Sequence, residues 1–177
     1  MKKVIFMFSL LSLLTFASCS GDDGPIAGQE SVSFDIPFNI FVAANAMTST
    51  PSDPRIKQLT SVLSSANQDK AKFVYASSIS RRNSYISISG LTEGGTLSNI
   101  TFSSSDSPKT INFPLPVRAV SRDTILEDDA YTDLVKQICD YLASKKSIEL
   151  SVTYTAGDKN ISNGVIKLHA STTFSWK

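Results

Sequence analysis

Apolar and polar residues alternate in three long stretches of the chain, which is the pattern of half-buried β-strands. The stretches are residues 31–42, 147–156 and 166–176. Pro37, in the first of them, cannot donate a backbone hydrogen bond, so this strand is predicted at a sheet edge or at a bulge. The last stretch changes face near Gly164, which predicts a bulge there, and its closeness to the C-terminus predicts that the end of the chain is paired into a sheet.

Shorter apolar or alternating segments fill residues 70–116, and polar turns separate them. This spacing predicts a run of antiparallel strands. Two other stretches change to a helical period: residues 53–66, with Ser52 as a candidate N-cap, and residues 126–146. The second predicted helix begins with acidic residues and ends with lysines, and both charge groups suit the helix dipole.

Together these elements predict a mainly β fold. We expect an antiparallel β-sandwich-like domain of about seven strands, with two helices covering an edge or an open end. The alternative is an α+β arrangement in which one curved sheet packs on the helices. Residues 31–177 form a single β-rich domain in this prediction, long enough to bury about 68–70% of the unfolded surface without disulfides or metal.

The N-terminus has the organisation of an export leader. Residues 1–3 are positively charged, and residues 4–17 are apolar. A helix of that apolar length reaches only about 21 Å, which is short of the ~30 Å hydrocarbon core of a membrane. Residues 1–18 are therefore predicted to be a signal peptide rather than a transmembrane helix.

Small residues and a cysteine follow the apolar run directly. Ala17, Ser18 and Cys19 resemble the lipobox of bacterial lipoproteins, although Phe16 stands where that motif usually has leucine. The resemblance implies cleavage before Cys19 and lipidation of its thiol, and the alternative is an ordinary secreted protein. Two or three acyl chains would hold a protein stably on a membrane.

Residues 19–30 are predicted to be a lipidated, flexible tether, since their glycines and proline discourage regular structure. Asp22 and Asp23 resemble the acidic export signal of surface lipoproteins in Bacteroidetes-type bacteria. This resemblance implies an outer-membrane lipoprotein displayed on the cell surface, with a periplasm-facing attachment as the alternative. Asp123, Thr124 and Ile125 resemble the O-glycosylation acceptor of the same bacteria, which would make Thr124 the modified residue.

The net charge limits the classes of partner that are expected for this chain. The formal net charge is +1, and loss of the two leader lysines would bring it to −1. A chain so near neutrality has no electrostatic footprint for nucleic acid. The expected partner is the membrane through the lipid anchor, together with a protein or glycan that the sequence does not specify. No cofactor is expected.

Several single residues are candidates for a chemical role. If Cys19 is lipidated, Cys139 has no disulfide partner, and its place in a helical stripe predicts a small buried apolar residue. His169 is the one histidine and is expected to face solvent. The acidic cluster at residues 127–129 is interpreted as helix capping rather than a cation site. Trp176 is expected in the core.

Three aromatic residues are the best placed for exposure, without any indication that they form one patch: Phe41, Tyr75 and Tyr85.

No catalytic motif is recognisable, so the chain is not expected to be an enzyme. The leading hypothesis is a lipid-anchored envelope protein with a non-enzymatic binding or structural role. The alternatives are a carrier or sensor of a small apolar or glycan ligand, and a hydrolase with a site assembled from scattered residues.

Overall fold

The computed structural model describes residues 27–42, 52–106, 109–115, 119–121, 124–157 and 161–177. These residues form ten strands and one α-helix. The strands are β1 (Gly28–Val42), β2 (Arg55–Gln58), β3 (Tyr75–Ile79), β4 (Tyr85–Ser89), β5 (Thr96–Asp106), β6 (Lys109–Pro114), β7 (Ala119–Ser121), β8 (Thr124–Leu126), β9 (Ser147–Ala156) and β10 (Ile161–Trp176), and the helix is α1 (Asp129–Lys145). Short 3-10 helices cover Leu59–Ser61, Gln68–Phe73 and Arg81–Asn83.

The strands form two antiparallel sheets of five strands each. The first sheet has the order β1-β10-β4-β8, with β3 also paired to β10. The second has the order β2-β9-β5-β6, with β7 also paired to β5. Phe38 of the first sheet and Phe102 of the second bring their rings to 5.4 Å between centroids, and both are fully buried. The prediction of a mainly β, antiparallel, sandwich-like domain is confirmed.

Strand β1 lies at an edge of the first sheet, as Pro37 predicts, because its ladder partner is β10 alone. The register between these two strands shifts between Ile40 and Val42, opposite the predicted bulge at Gly164. A Cβ on Gly164 would lie 2.5 Å from the Cγ1 atom of Ile40. The close packing of the two strands at the bulge therefore requires glycine.

The helix α1 is confirmed, and its ends are capped. The Asp128 carboxylate accepts hydrogen bonds from the amides of Ala130 and Tyr131, at 3.0 and 3.3 Å. At the other end Lys146 adopts the left-handed region with φ of 68°, and its amide donates to the carbonyl of Leu142. The apolar face of α1 is buried and touches strands of both sheets, so one helix closes the sandwich.

The predicted helix over residues 53–66 is wrong, and the described residues contain one α-helix rather than two. Arg55–Gln58 is strand β2, which pairs with Ser147–Leu150 of β9. Ser52 is not an N-cap; its amide donates to the carbonyl of Val152, and its hydroxyl accepts from the Val152 amide. Pairing with β9 satisfies the backbone hydrogen bonds of this segment, so tertiary contacts override its helical pattern.

The count of about seven strands is also too low. The three additional strands are β2, β7 and β8, which have only three or four residues each. Strands this short are too brief to show an alternating pattern. Their backbones become strands because a longer neighbour offers a ladder.

Strand β1 begins at Gly28, three residues before the predicted start of the domain. The sequence predicts that Glu30 belongs to the tether. In the structure it accepts hydrogen bonds from the Ser64 amide and the Asn67 side chain, both at 2.9 Å. Cys19, Asp22 and Asp23 lie outside the described residues. Within the described part of the chain, no helix has the length and apolar character needed to cross a membrane.

Candidate functional site

The outward surface of strands β1, β10 and β4 carries the polar chemistry of the first sheet. Along β1, buried residues alternate with outward-facing ones, which run from Asp35 through Pro37 and Asn39 to Phe41. Strands β10 and β4 add their own outward side chains beside these. We call this surface the outer face. Two distinct groups of residues lie on this face or at its end.

The first group, the polar cluster, consists of Asp35, Tyr85, Lys167 and His169. The antiparallel register places Asp35 directly opposite His169, and His169 directly opposite Tyr85. The His169 Nδ1 atom and the Asp35 Oδ1 atom form a hydrogen bond. The imidazole stacks on the Tyr85 ring, with 4.7 Å between centroids. The Lys167 Nζ atom lies 3.6 Å from the Asp35 carboxylate and 5.9 Å from the centre of the Tyr85 ring.

His169 is therefore more enclosed than the sequence predicts. Its side chain lies on the outer face as expected, but it is only 22% exposed because Tyr85 and Asp35 pack against it. Ion pairs and stacked rings at cross-strand positions stabilise a sheet modestly, by about 0.2–1 kcal/mol each. The polar cluster thus contributes to pairing of three strands and offers a polar surface for hydrogen bonding.

The second group lines a cleft at the far end of β1, where the bulge opens the sheet. The cleft has a volume of about 520 Å³, within the range of ~300–1,000 Å³ that is usual for ligand sites. We call it the β1-end cleft. Its lining residues are Asn39, Ile40, Phe41, Asp53, Asn163, Gly164 and Val165. The Phe41 side chain is 65% exposed there.

Two sets of hydrogen bonds to β9 hold the backbone of the β1-end cleft. The buried Tyr154 hydroxyl on β9 donates to the Phe41 carbonyl at 3.2 Å, so the second sheet holds the backbone beneath the ring. Burial raises the pKa of Tyr154. The hydrogen bonds of Ser52 to Val152 hold the segment that carries Asp53.

The turn after β4 closely approaches the backbone of Asn163. Gly90 has φ of +72°, and a Cβ on it would lie 2.3 Å from the Asn163 carbonyl oxygen. Only glycine combines this left-handed conformation with so short an approach. The turn after β4 thus packs closely against the start of β10 at Asn163.

Among the described residues that line the β1-end cleft, the charge comes from a single carboxylate. Asp53 is exposed, and the other residues that line the cleft are neutral. Asn39 and Asn163 each present an amide that both donates and accepts hydrogen bonds. The cleft therefore combines one exposed aromatic ring with hydrogen-bonding groups, and its one charged side chain repels anions.

A smaller cleft of about 280 Å³ lies between β6 and α1. Pro114, Ala130, Asp133, Leu134 and Gln137 line it. It is below the usual size of a ligand site, and its one charged group is a carboxylate near the start of the helix. The β1-end cleft is the stronger candidate.

Cys139 is a buried apolar residue, as predicted. It is fully buried on α1, and burial together with the nearby Asp140 charge raises the pKa of its thiol to about 12. A thiol with so high a pKa is protonated at neutral pH and unsuited to nucleophilic chemistry. The interpretation of residues 127–129 as helix capping is confirmed for Asp128, and Trp176 is buried in the core as expected.

The three aromatic residues singled out in the sequence do not form one patch. Tyr75 pairs with Ser175 at one end of β10, whereas Phe41 lies beside the bulge at the other end. Tyr85 is half-buried in the polar cluster between them. Thr124 is half-buried on β8 opposite Ile88, and its glycosylation remains a prediction.

Sequence reasoning missed the polar members of the β1-end cleft. Asn39, Asp53 and Asn163 belong to three separate segments, and nothing in their spacing brings them together. The one available signal was Phe41, an aromatic residue at an outward position of an alternating strand. Over the described residues, no group of three or more histidine, cysteine or acidic side chains is arranged to hold a metal ion.

Comparisons with known proteins add little to this geometry. No protein-family model matches the chain. No curated protein matches it either. Among solved structures, it is similar to a chain of the Mud crab tombus-like virus determined by cryo-EM, with 10% identity and a TM-score of 0.32 over 100% of this chain and 92% of that chain. So low a TM-score carries no argument about function.

Proposed function

We propose that this chain is a lipid-anchored protein of the cell envelope whose sandwich domain binds a ligand without catalysing a reaction. The observation that carries the proposal is the leader, in which a charged start, an apolar run and Cys19 follow one another in the order of a lipoprotein signal. In this proposal the lipidated Cys19 holds the domain on the outer membrane, and Asp22 and Asp23 direct it to the cell surface.

The orientation of β1 supports a binding role. Cys19 precedes the first residue of β1 by nine positions, which span at most about 30 Å. From Gly28 the strand extends to Phe41 over a further ~43 Å. The β1-end cleft therefore lies at the end of the strand opposite the anchor, where a ligand outside the membrane can reach it.

The environment of the reactive side chains supports a non-catalytic role. The Cys139 thiol is fully buried, and His169 is engaged with Asp35 and Tyr85 on the outer face. The polar cluster is also distant from the cleft, because Asp35 and Phe41 are six positions apart on one strand, or about 20 Å. An imidazole placed there does not reach a ligand seated against Phe41.

Metabolic labelling with radioactive palmitate tests the anchor. Wild type, Cys19→Ala and Cys139→Ala are expressed in a bacterium that processes lipoproteins. We expect wild type to be labelled. Cys19→Ala should carry essentially no label, because the thiol that accepts the lipid is gone. The Cys19→Ala protein should also keep its leader and migrate as the larger precursor.

Cys139→Ala is the matched control, since the chain has only these two cysteines. It should be labelled like wild type, because the Cys139 thiol is buried in α1. Equal labelling of wild type and Cys19→Ala would show that the lipid is not on Cys19 and would overturn the proposal.

A further inference from the structure

We propose that the β1-end cleft is a binding site for a neutral carbohydrate chain. This inference deepens the proposed function and rests on it for the statement that the domain binds a ligand. Three properties of the cleft identify the ligand class: an exposed aromatic ring, hydrogen-bonding groups around that ring, and the sign of its charge.

The aromatic ring supplies a flat apolar surface. Phe41 is 65% exposed at a position where the bulge between β1 and β10 ends the regular ladder. The negative face of an aromatic ring attracts the slightly positive C–H groups on one face of a sugar ring. Stacking of a sugar on Phe41 would cover apolar surface that is otherwise in contact with water.

The polar groups around the ring match sugar hydroxyls. The amides of Asn39 and Asn163 each donate and accept, and the Asp53 carboxylate accepts. A hydroxyl group likewise donates and accepts, so each sugar hydroxyl finds a partner of either kind. These three residues come from β1, β10 and the segment before β2, and they line the same cleft as Phe41.

The negative charge of the cleft favours neutral carbohydrate chains over anionic ones. Asp53 is the charged residue among the described residues of the lining, and none of those residues is a lysine or arginine. A uronic acid or a sulfated sugar would place an anion beside this carboxylate, with no cation among the described lining residues to compensate. A neutral sugar avoids that repulsion.

A peptide fits the same region less well. The usual way for a peptide to bind a sheet is to add a strand to a free edge, and β1 is an edge strand. Pro37 lies in the middle of β1 and interrupts such an edge. The binding groups are instead side chains gathered at one end of the strand.

The cleft is already formed without a ligand. The Tyr154 hydrogen bond holds the backbone of Phe41, the Ser52 hydrogen bonds hold the residue before Asp53, and the turn at Gly90 lies close to the backbone of Asn163. Groups fixed in advance lose less conformational entropy when a ligand binds.

Affinity electrophoresis of the full-length protein in detergent tests the inference. Native gels contain dextran, xylan, galactomannan or laminarin as neutral probes, and polygalacturonate or alginate as anionic probes. We expect at least one neutral polysaccharide to retard wild type, with no retardation by the anionic ones. Phe41→Ala should weaken that binding at least tenfold, and Phe41→Tyr, which keeps the ring, should retain it.

Ile125→Ala is the matched control. Ile125 is 62% exposed on the outer surface of β8, at the opposite edge of the same sheet, so the substitution removes similar apolar area away from the cleft. It should bind like wild type. Circular dichroism of each variant shows whether the fold is kept. If Phe41→Ala does not fold, Asn39→Ala carries the test, because it removes an exposed hydrogen-bonding side chain of the cleft and should also weaken binding.

Two results would overturn the inference: no retardation by any neutral probe, or equal retardation of wild type and Phe41→Ala. Binding to the anionic probes or to an immobilised peptide library in place of the neutral chains would overturn it as well. These failures are independent of palmitate labelling, so the carbohydrate site and the anchor can each fail alone.

Discussion

At the scale of single residues, Cys139 shows how burial determines chemistry. Its side chain is fully enclosed on the buried face of α1, and the Asp140 charge is close by. Both effects disfavour the thiolate, and burial is the larger of the two. The residue therefore acts as a small apolar group of the core, which its position in the helical stripe already indicates.

The pKa of Cys139 predicts how stability depends on pH. The thiol has a pKa of about 12 in the folded protein and about 8.5 in an unfolded chain. Between these values the unfolded chain loses the proton first, so the free energy of unfolding falls as the pH rises above about 9. The slope from this group is at most about 1.4 kcal/mol per pH unit.

Denaturant unfolding at pH 8, 9.5 and 10.5 measures this slope. Cys139→Ala should give a smaller decrease with pH than wild type, because the alanine variant has no thiol to ionise. The buried tyrosines Tyr131 and Tyr154, whose pKa values burial also raises, are present in both proteins and cancel in the comparison. Identical pH dependence in the two proteins would show that Cys139 does not titrate as a buried thiol.

At the scale of elements, helix α1 and strand β2 show two different sources of structure. Helix α1 could be predicted from the sequence, because its apolar period, its acidic start and its basic end all agree with one helix. The segment around β2 has a similar apolar period, yet Ile56 is 66% exposed and the chain pairs with β9. A free strand edge outweighed the weak local preference for helix.

The N-cap of α1 provides a test at this scale. Asp128→Ala removes the carboxylate that accepts from the amides of Ala130 and Tyr131, and should lower the free energy of unfolding by about 1 kcal/mol. Asp128→Asn changes the charge but keeps an oxygen that caps well, so it should stay close to wild type. Urea unfolding followed by circular dichroism measures both variants. Equal losses in the two would attribute the effect to charge and not to capping.

At the scale of the whole molecule, the two ends of β1 would separate the proposed lipid anchor from the proposed ligand site. The strand begins nine residues after the proposed lipid attachment at Cys19 and ends beside the β1-end cleft. The second sheet packs against the inward-facing side chains of β1, whereas Asp35, Pro37, Asn39 and Phe41 are exposed on its outer face. The proposed surface protein would thus present its ligand site away from the membrane.

Surface display is tested by protease treatment of intact cells that express the protein with a C-terminal epitope. We expect wild type to lose the epitope and the double variant Asp22→Ala/Asp23→Ala to keep it, because the proposed export signal is removed. Asp69→Ala/Glu93→Ala is the control, since it removes two exposed acidic groups elsewhere. Full protection of wild type, with a periplasmic marker intact, would contradict surface display.

Alternation and helical period determined much of this fold. The long strands β1, β9 and β10, the edge position of β1 and the helix α1 follow from local pattern, because each side chain in a regular element repeats its direction at a fixed interval. The bulge near Gly164 follows too, since a change of face in a strand requires an extra residue. The burial of Cys139 and Trp176 belongs to the same class of inference.

Tertiary structure alone decided the rest. The short strands β2, β7 and β8 exist because a neighbouring strand offers hydrogen bonds, which no local pattern encodes. The β1-end cleft likewise joins Asn39, Asp53 and Asn163 from distant parts of the sequence. Sequence periodicity fixes which way a side chain points along its own element, whereas the meeting of side chains from different elements depends on how the two sheets pack.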